Sequence, residues 1–144
     1  MLILKRISAL ALGVFLTSAG TSHLGSNRKE FLAQVPTWLP LNADFVVIAS
    51  GLVEIALGIS LITTTFIFTK FRRQVGITVA VFFTLIFPGN INQYLNQIDA
   101  FGLDTDQKRL IRLSFQPLLV LWALWSMNVI RLTKKSNKNQ LSSR

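Results

Sequence analysis

Glu54 is the single charged residue in the 25 residues from Phe45 to Thr69, a run that is otherwise apolar or small. About 20 apolar residues cross the hydrocarbon core of a bilayer, so this run reads as a spanning helix. An ionisable side chain inside such a helix costs about 2.5–3.5 kcal/mol on insertion scales unless it faces a partner or a cavity. Two uses would justify that cost. Glu54 is either a hydrogen-bonded tie to Arg112, Gln116 or Asn90, or a carboxylate that relays protons or anchors a ligand. The residue type alone leaves both open.

Four other polar residues fall at comparable depth. His23 closes the first apolar run, and Asn90 follows Pro88 and Gly89 near the end of the third. Arg112 and Gln116 open the fourth run at an i, i+4 spacing, which puts them on one helical face. His23, Glu54, Asn90, Arg112 and Gln116 are therefore the candidate ligand-binding residues, all in the outer half of the bundle. Bland roles exist for each. His23 suits a helix cap, Asn90 suits the backbone groups freed by Pro88, and Trp122 and Trp125 suit packing. The phenylalanines 66, 68, 71, 82, 83 and 87 read as lipid-facing or core bulk.

The elements that must carry these residues are helices. Hydrophobic residues make up 51% of 144, more than a soluble domain of this size usually buries. Mean hydropathy is +0.49. The expected fold is all-α: a polytopic membrane protein with an antiparallel bundle of four transmembrane helices. Their expected bounds are about 4–22, 44–69, 73–94 and 111–131, within one domain over residues 1–132. The first run, with Lys5 and Arg6 ahead of it, also has the outline of a signal peptide. Leu2-Ile3-Leu4 before the charges favours a retained helix. Gly51, Glu54 and Gly58 share one face, and small residues allow close approach in lipid, so that face should point into the bundle.

Charge sets the expected orientation. Ten of the fifteen basic residues flank one side: Lys5, Arg6, Lys70, Arg72, Arg73, Arg131, Lys134, Lys135, Lys138 and Arg144. The positive-inside rule then places both termini in the cytoplasm. Lys70 to Arg73 reads as a tight inner turn that makes a hairpin of helices two and three. Residues 23–44 read as an outer loop broken by Pro36 and Pro40, with Trp38 as an interfacial anchor. Residues 96–110 read as a solvated loop with Asp99, Asp104 and Asp106. Residues 133–144 read as a disordered basic cytoplasmic tail.

Several chemistries are excluded. The chain has no cysteine, so thiol, disulfide, Fe–S and Cys-zinc chemistry are out for this polypeptide. One histidine rules out a bis-histidine haem within one chain. No metal site and no evident cofactor emerge, a quinone being compatible. Membrane topology accounts for the net charge of +9, so the expected partner is the bilayer rather than nucleic acid.

Five segments carry a resemblance. AGTSHL (19–24), VPTWLP (35–40), SGLVEIALG (50–58), FPGNI (87–91) and RLSFQPLL (112–119) resemble, in order, motifs of the DoxX-like family of small four-helix membrane proteins. Leu24, Thr37, Gly89 and Ser114-Phe115 depart from the usual HF, VPPWLP, FPAN and RLPLQ. The resemblance implies an integral protein of a bacterial plasma membrane, an accessory or assembly subunit working beside another membrane or redox subunit. The family is named after a subunit of a membrane thiosulfate:quinone oxidoreductase. A quinone-linked oxidoreductase subunit with an outer-half pocket is thus the alternative, and a small transporter fits four helices less well. No autonomous catalytic motif is present. The fold also resembles vitamin K epoxide reductase relatives, whose CxxC chemistry is impossible here.

Overall fold

A computed structural model describes residues 2–130. It is all-α: five helices and no strand among the described residues. Helix α1 spans Leu2–Leu24, α2 Arg28–Gln34, α3 Ala43–Phe66, α4 Arg72–Leu95 and α5 Asp106–Ser126. A 3-10 turn, Thr69–Phe71, joins α3 to α4. Three segments are long and apolar enough to cross a membrane: Leu2–Leu24, Ala43–Phe66 and Thr69–Leu95.

The helix ends follow local chemistry. Asn42 caps α3, its side-chain oxygen accepting from the Phe45 N–H at 3.1 Å. Thr63 O takes both the Ile67 and the Phe68 N–H, which ends that helix three residues before the expected Thr69. α4 runs through Pro88 and continues to Leu95, so the Pro-Gly-Asn segment does not end it.

The fourth long helix differs most from expectation. It runs over 106–126 rather than 111–131. Thr105 caps it, with Asp106 in its first turn. Its charged opening, DQKRLIR, is helix and not loop. At the other end Asn128 has φ 63°, a left-handed conformation that stops the helix before Arg131. Arg131 itself, the other basic residues of 134–144 and the expected tail lie outside the described residues.

The outer loop of residues 23–44 likewise contains an unexpected helix, α2. It stops at Gln34, and Val35 is extended at φ −65°, ψ 122°, as a residue before proline prefers. Arg28 holds α2 against α3, with its Nε 2.9 Å from Asp44 Oδ1. The 96–110 connection also packs inward rather than lying free. Ala100 is buried, and the Phe101 N–H donates to Glu30 Oε2 at 2.6 Å. Arg109, 5% exposed, ties the loop to Asp99 and Asp106 and donates to Ile98 O. The three Asp side chains themselves remain exposed.

Two helix pairs dominate the packing: α1 with α3 and α4 with α5. The α3–α4 hairpin exists through its 3-10 turn, yet it is the weaker seam. The α1–α3 seam is built on glycine. A Cβ on Gly51 would lie 2.7 Å from His23 Cβ and 2.9 Å from Gly20 O. A Cβ on Gly58 would lie 2.6 Å from Gly13 O. Gly13 thus faces Gly58 and Gly20 faces Gly51, one heptad apart, so two backbones touch at two levels. Gly51, Glu54 and Gly58 are all buried, as their shared face requires.

The core of Leu12, Leu16, Leu61, Val79, Phe83, Ala123 and Met127 fills the middle. Large apolar side chains such as Ile3, Ile7, Phe15, Ile59, Leu85 and Leu118 point outward, while Glu54, Asn90, Gln93 and Gln116 point inward. That inversion is stable in lipid and not in water.

Candidate functional site

The five sequence-selected residues all line one cavity of about 840 Å³. α1 contributes His23 from its last turn, and α3 contributes Ser50 and Glu54 one turn apart on its inner face. Asn90 comes from α4, and Arg112 and Gln116 from successive turns of α5. Leu16, Phe83, Ile86, Phe115, Leu119 and Trp122 supply apolar wall, and Phe31, Trp38 and Phe101 lie toward the outer connections.

His23 and Glu54 form the polar centre on the α1–α3 side. His23 is 6% and Glu54 5% exposed. The His23 Nε2 lies 3.4 Å from Glu54 Oε2. Its Nδ1 is 3.1 Å from Ser50 Oγ and 3.3 Å from Val47 O. The Ser50 hydroxyl donates to Val47 O at 3.0 Å, and Nδ1 either donates to these oxygens or accepts from the hydroxyl, according to the tautomer. Nε2 faces Glu54 as a donor in the tautomer that protonates it, and as an acceptor toward a protonated carboxyl in the other. At 3.4 Å this contact is not a well-formed hydrogen bond, and Glu54 Oε2 makes none with any other group among the described residues. His23 is therefore neither a surface group nor a simple cap. It is buried against the carboxyl, with the Phe31 ring packed against it at a tilt of 41°.

The expected tie from Glu54 to Asn90 or Gln116 is not made. Asn90 Nδ2 donates to Gln116 Oε1 at 2.9 Å, and Gln116 Nε2 donates to Phe83 O at 2.6 Å. These two amides satisfy each other and the α4 backbone, so they join α4 to α5 without reaching α3. Nor does an ion pair join Glu54 to Arg112 among the described residues. The Arg112 guanidinium sits 5.2 Å from the centroid of the Phe101 ring, and its Nε is buried without a partner.

Some lining residues escaped the sequence reading. Ser50 stands one turn before Glu54, and that i, i+4 spacing was a usable signal. Gln34 is buried at the end of α2 and donates to Gln93 Oε1 at 2.5 Å; Gln93 in turn donates to Ile98 O and Ala100 O. This amide ladder holds the outer connections over the bundle. No motif marks it, because it depends on a helix that sequence periodicity did not show.

The arrangement can hold an amphipathic molecule. It offers a free acceptor at Glu54, a free donor at Arg112, and apolar walls between. Among the described residues no cluster of three metal-ligating side chains occurs.

A family model described as a domain of unknown function (DUF8561) matches residues 12–127, and the chain belongs to that family. The match includes every candidate residue. No curated protein and no solved structure matches the chain.

Proposed function

We propose that this protein is a DoxX-like integral membrane subunit that binds a quinone-type ligand in the cavity between Glu54 and Arg112. In this reading α5, continued by residues 127–130, is a fourth crossing, and both termini face the cytoplasm of a bacterial cell. The subunit acts beside a membrane or redox partner, with no claim to autonomous catalysis.

One observation carries the ligand reading. Glu54 Oε2 and Arg112 Nε are both buried without a hydrogen bond, Glu54 having only the 3.4 Å contact with His23 Nε2, and both residues line the same largely apolar cavity. A cavity of 840 Å³ with few convergent polar groups has the character of a small-molecule site. A quinone presents carbonyl acceptors that suit the guanidinium. Its reduced form presents hydroxyl donors that suit the carboxyl, while a prenyl tail suits the apolar walls. The exclusion of thiol chemistry by the absence of cysteine is compatible with this role.

Titration of the purified protein with a short-chain alkylated benzoquinone tests the reading. Trp38 and Trp122 line the cavity, so binding should quench their fluorescence. Arg112→Gln should weaken binding about tenfold, the loss of one charge-assisted contact. Saturable quenching that is equal in the wild type and Arg112→Gln would remove the ligand from this site. Absence of quenching would leave the accessory or assembly role as the better account.

A further inference from the structure

The bundle end opposite the cavity gathers buried positive charge with no acidic side chain to meet it among the described residues. Lys5 is 3% exposed and Arg72 7% exposed. Lys5 Nζ donates to Asn128 Oδ1 at 2.8 Å and lies 5.5 Å from the Trp125 ring centroid. Arg72 Nη2 donates to Ser126 O at 3.0 Å. Both cations therefore converge on the turn that ends α5. Arg6, next to Lys5 on α1, is half-buried. The Nε of Arg6 and the Nε of Arg72 are buried and have no hydrogen-bond partner among the described residues.

The chain supplies no acidic side chain to this cluster. Its six acidic residues are Glu30, Asp44, Glu54, Asp99, Asp104 and Asp106, and residues 131–144 contain none. Glu30 lies on α2, Asp44 in the first turn of α3, Asp99 and Asp104 between α4 and α5, and Asp106 in the first turn of α5, all at the far end. Glu54 lines the cavity. Orienting a membrane protein requires basic residues at one face, but exposed ones suffice. Burying two of them, with guanidinium donors left open, is costly unless an anion completes the site.

We propose that Lys5, Arg6 and Arg72 form a binding site for a phosphate-bearing anion. The donor set fits that chemistry, since guanidinium N–H groups match phosphate oxygens in pairs and lysine adds a point charge. α4 begins at Arg72, so the positive end of a 24-residue helix points into the same region. The α5 carbonyl that would repel an anion, Ser126 O, is already covered by Arg72. A phospholipid headgroup and free phosphate present the same chemistry here. This site is independent of the quinone reading, being at the other end of the bundle.

The experiment follows the melting of the full chain in detergent by tryptophan fluorescence. Short-chain phosphatidylglycerol, phosphatidylcholine and inorganic phosphate are titrated separately. Phosphatidylglycerol should raise the melting temperature saturably, and phosphatidylcholine should raise it much less. Stabilisation by inorganic phosphate as well would assign the site to the phosphate group alone, and its absence would assign it to the lipid headgroup. Arg6→Gln should raise the half-saturating phosphatidylglycerol concentration about tenfold, as the loss of one charge-assisted contact does. Arg73→Gln removes the same charge from an exposed position and should leave that concentration nearly unchanged. Arg6 is preferred to Arg72 because Arg72 also caps α5. Arg72→Lys, which keeps the charge and loses the Nε donor, is the second variant and should weaken binding similarly. Equal effects of Arg6→Gln and Arg73→Gln would show diffuse surface attraction and overturn the site. So would equal responses to the two lipids with no effect of phosphate.

Discussion

Gly20 and Gly51 meet backbone against backbone, and this contact brings His23 beside Glu54. A Cβ at Gly51 would lie 2.7 Å from His23 Cβ, so the imidazole occupies space that any larger residue at 51 would take. The polar centre of the cavity is therefore a consequence of helix packing. The second glycine pair, Gly13 and Gly58, fixes the same register one heptad away.

Replacing Gly58 tests that seam. A side chain at 58 meets Gly13 O and Thr17, and backbone cannot give way as a flexible side chain can. Gly58→Leu should cost at least the 1–3 kcal/mol typical of overpacking, roughly, and should lower the melting temperature in detergent. Ile62→Leu, nearly volume-conserving, should change it little. Equal shifts for the two variants would mean that the seam tolerates separation.

Much of this bundle was legible in the residues, for identifiable reasons. Apolar runs of membrane length located α1, α3 and α4, because lipid imposes both length and composition. The placing of Glu54, Gly51 and Gly58 on one buried face followed from helical spacing. The start of α5 is not legible because Asp106, Lys108 and Arg109 look like loop, although Thr105 is a good cap. α2 was missed because seven residues ahead of two prolines carry too little periodicity. Pairing was the least legible feature. Gln116 reaches Asn90 and Phe83 O rather than Glu54, and this depends on the α4–α5 seam, which spacing within one helix cannot reveal.

The α4–α5 connection yields a second stability prediction. Arg109 is buried and bonds Asp99, Asp106 and Ile98 O, whereas the neighbouring Lys108 pairs with Asp104 in the open. Arg109→Gln should destabilise the protein by about 1.5–3 kcal/mol, the range for hydrogen bonds to charged groups. Lys108→Gln should be close to neutral, because exposed pairs are screened by water and salt. Thermal melts of both variants would check this, and a larger loss from Lys108→Gln would contradict the packing of the loop.

Orientation can be measured directly. The proposed arrangement puts Trp38 and Asp104 outside and Lys138 inside, because the basic excess lies with the termini. In intact cells an impermeant thiol reagent should label Trp38→Cys and Asp104→Cys and spare Lys138→Cys. The chain has no native cysteine, so no background labelling arises from it. Labelling at 138 alone would invert the topology. Labelling at all three would mean that α5 does not cross.

Glu54 is the decisive position. Glu54→Gln keeps the shape and can still donate toward His23 Nε2, but it removes the titratable carboxyl. The variant should fold with a melting temperature near that of the wild type, since no hydrogen bond to Glu54 Oε2 is lost. Glu54→Leu leaves His23 Nε2 facing hydrocarbon and should cost about 1–3 kcal/mol, the penalty of an unsatisfied buried polar group. If the carboxyl anchors the head of a ligand or moves its proton, the Gln variant should bind the reduced, hydroxyl-bearing quinol more weakly. It should also fail to complement a deletion strain. Binding of the oxidised quinone through Arg112 should change less, because that contact uses the guanidinium donor. A Gln variant that folds, binds both forms normally and complements fully would reduce Glu54 to a structural partner of His23.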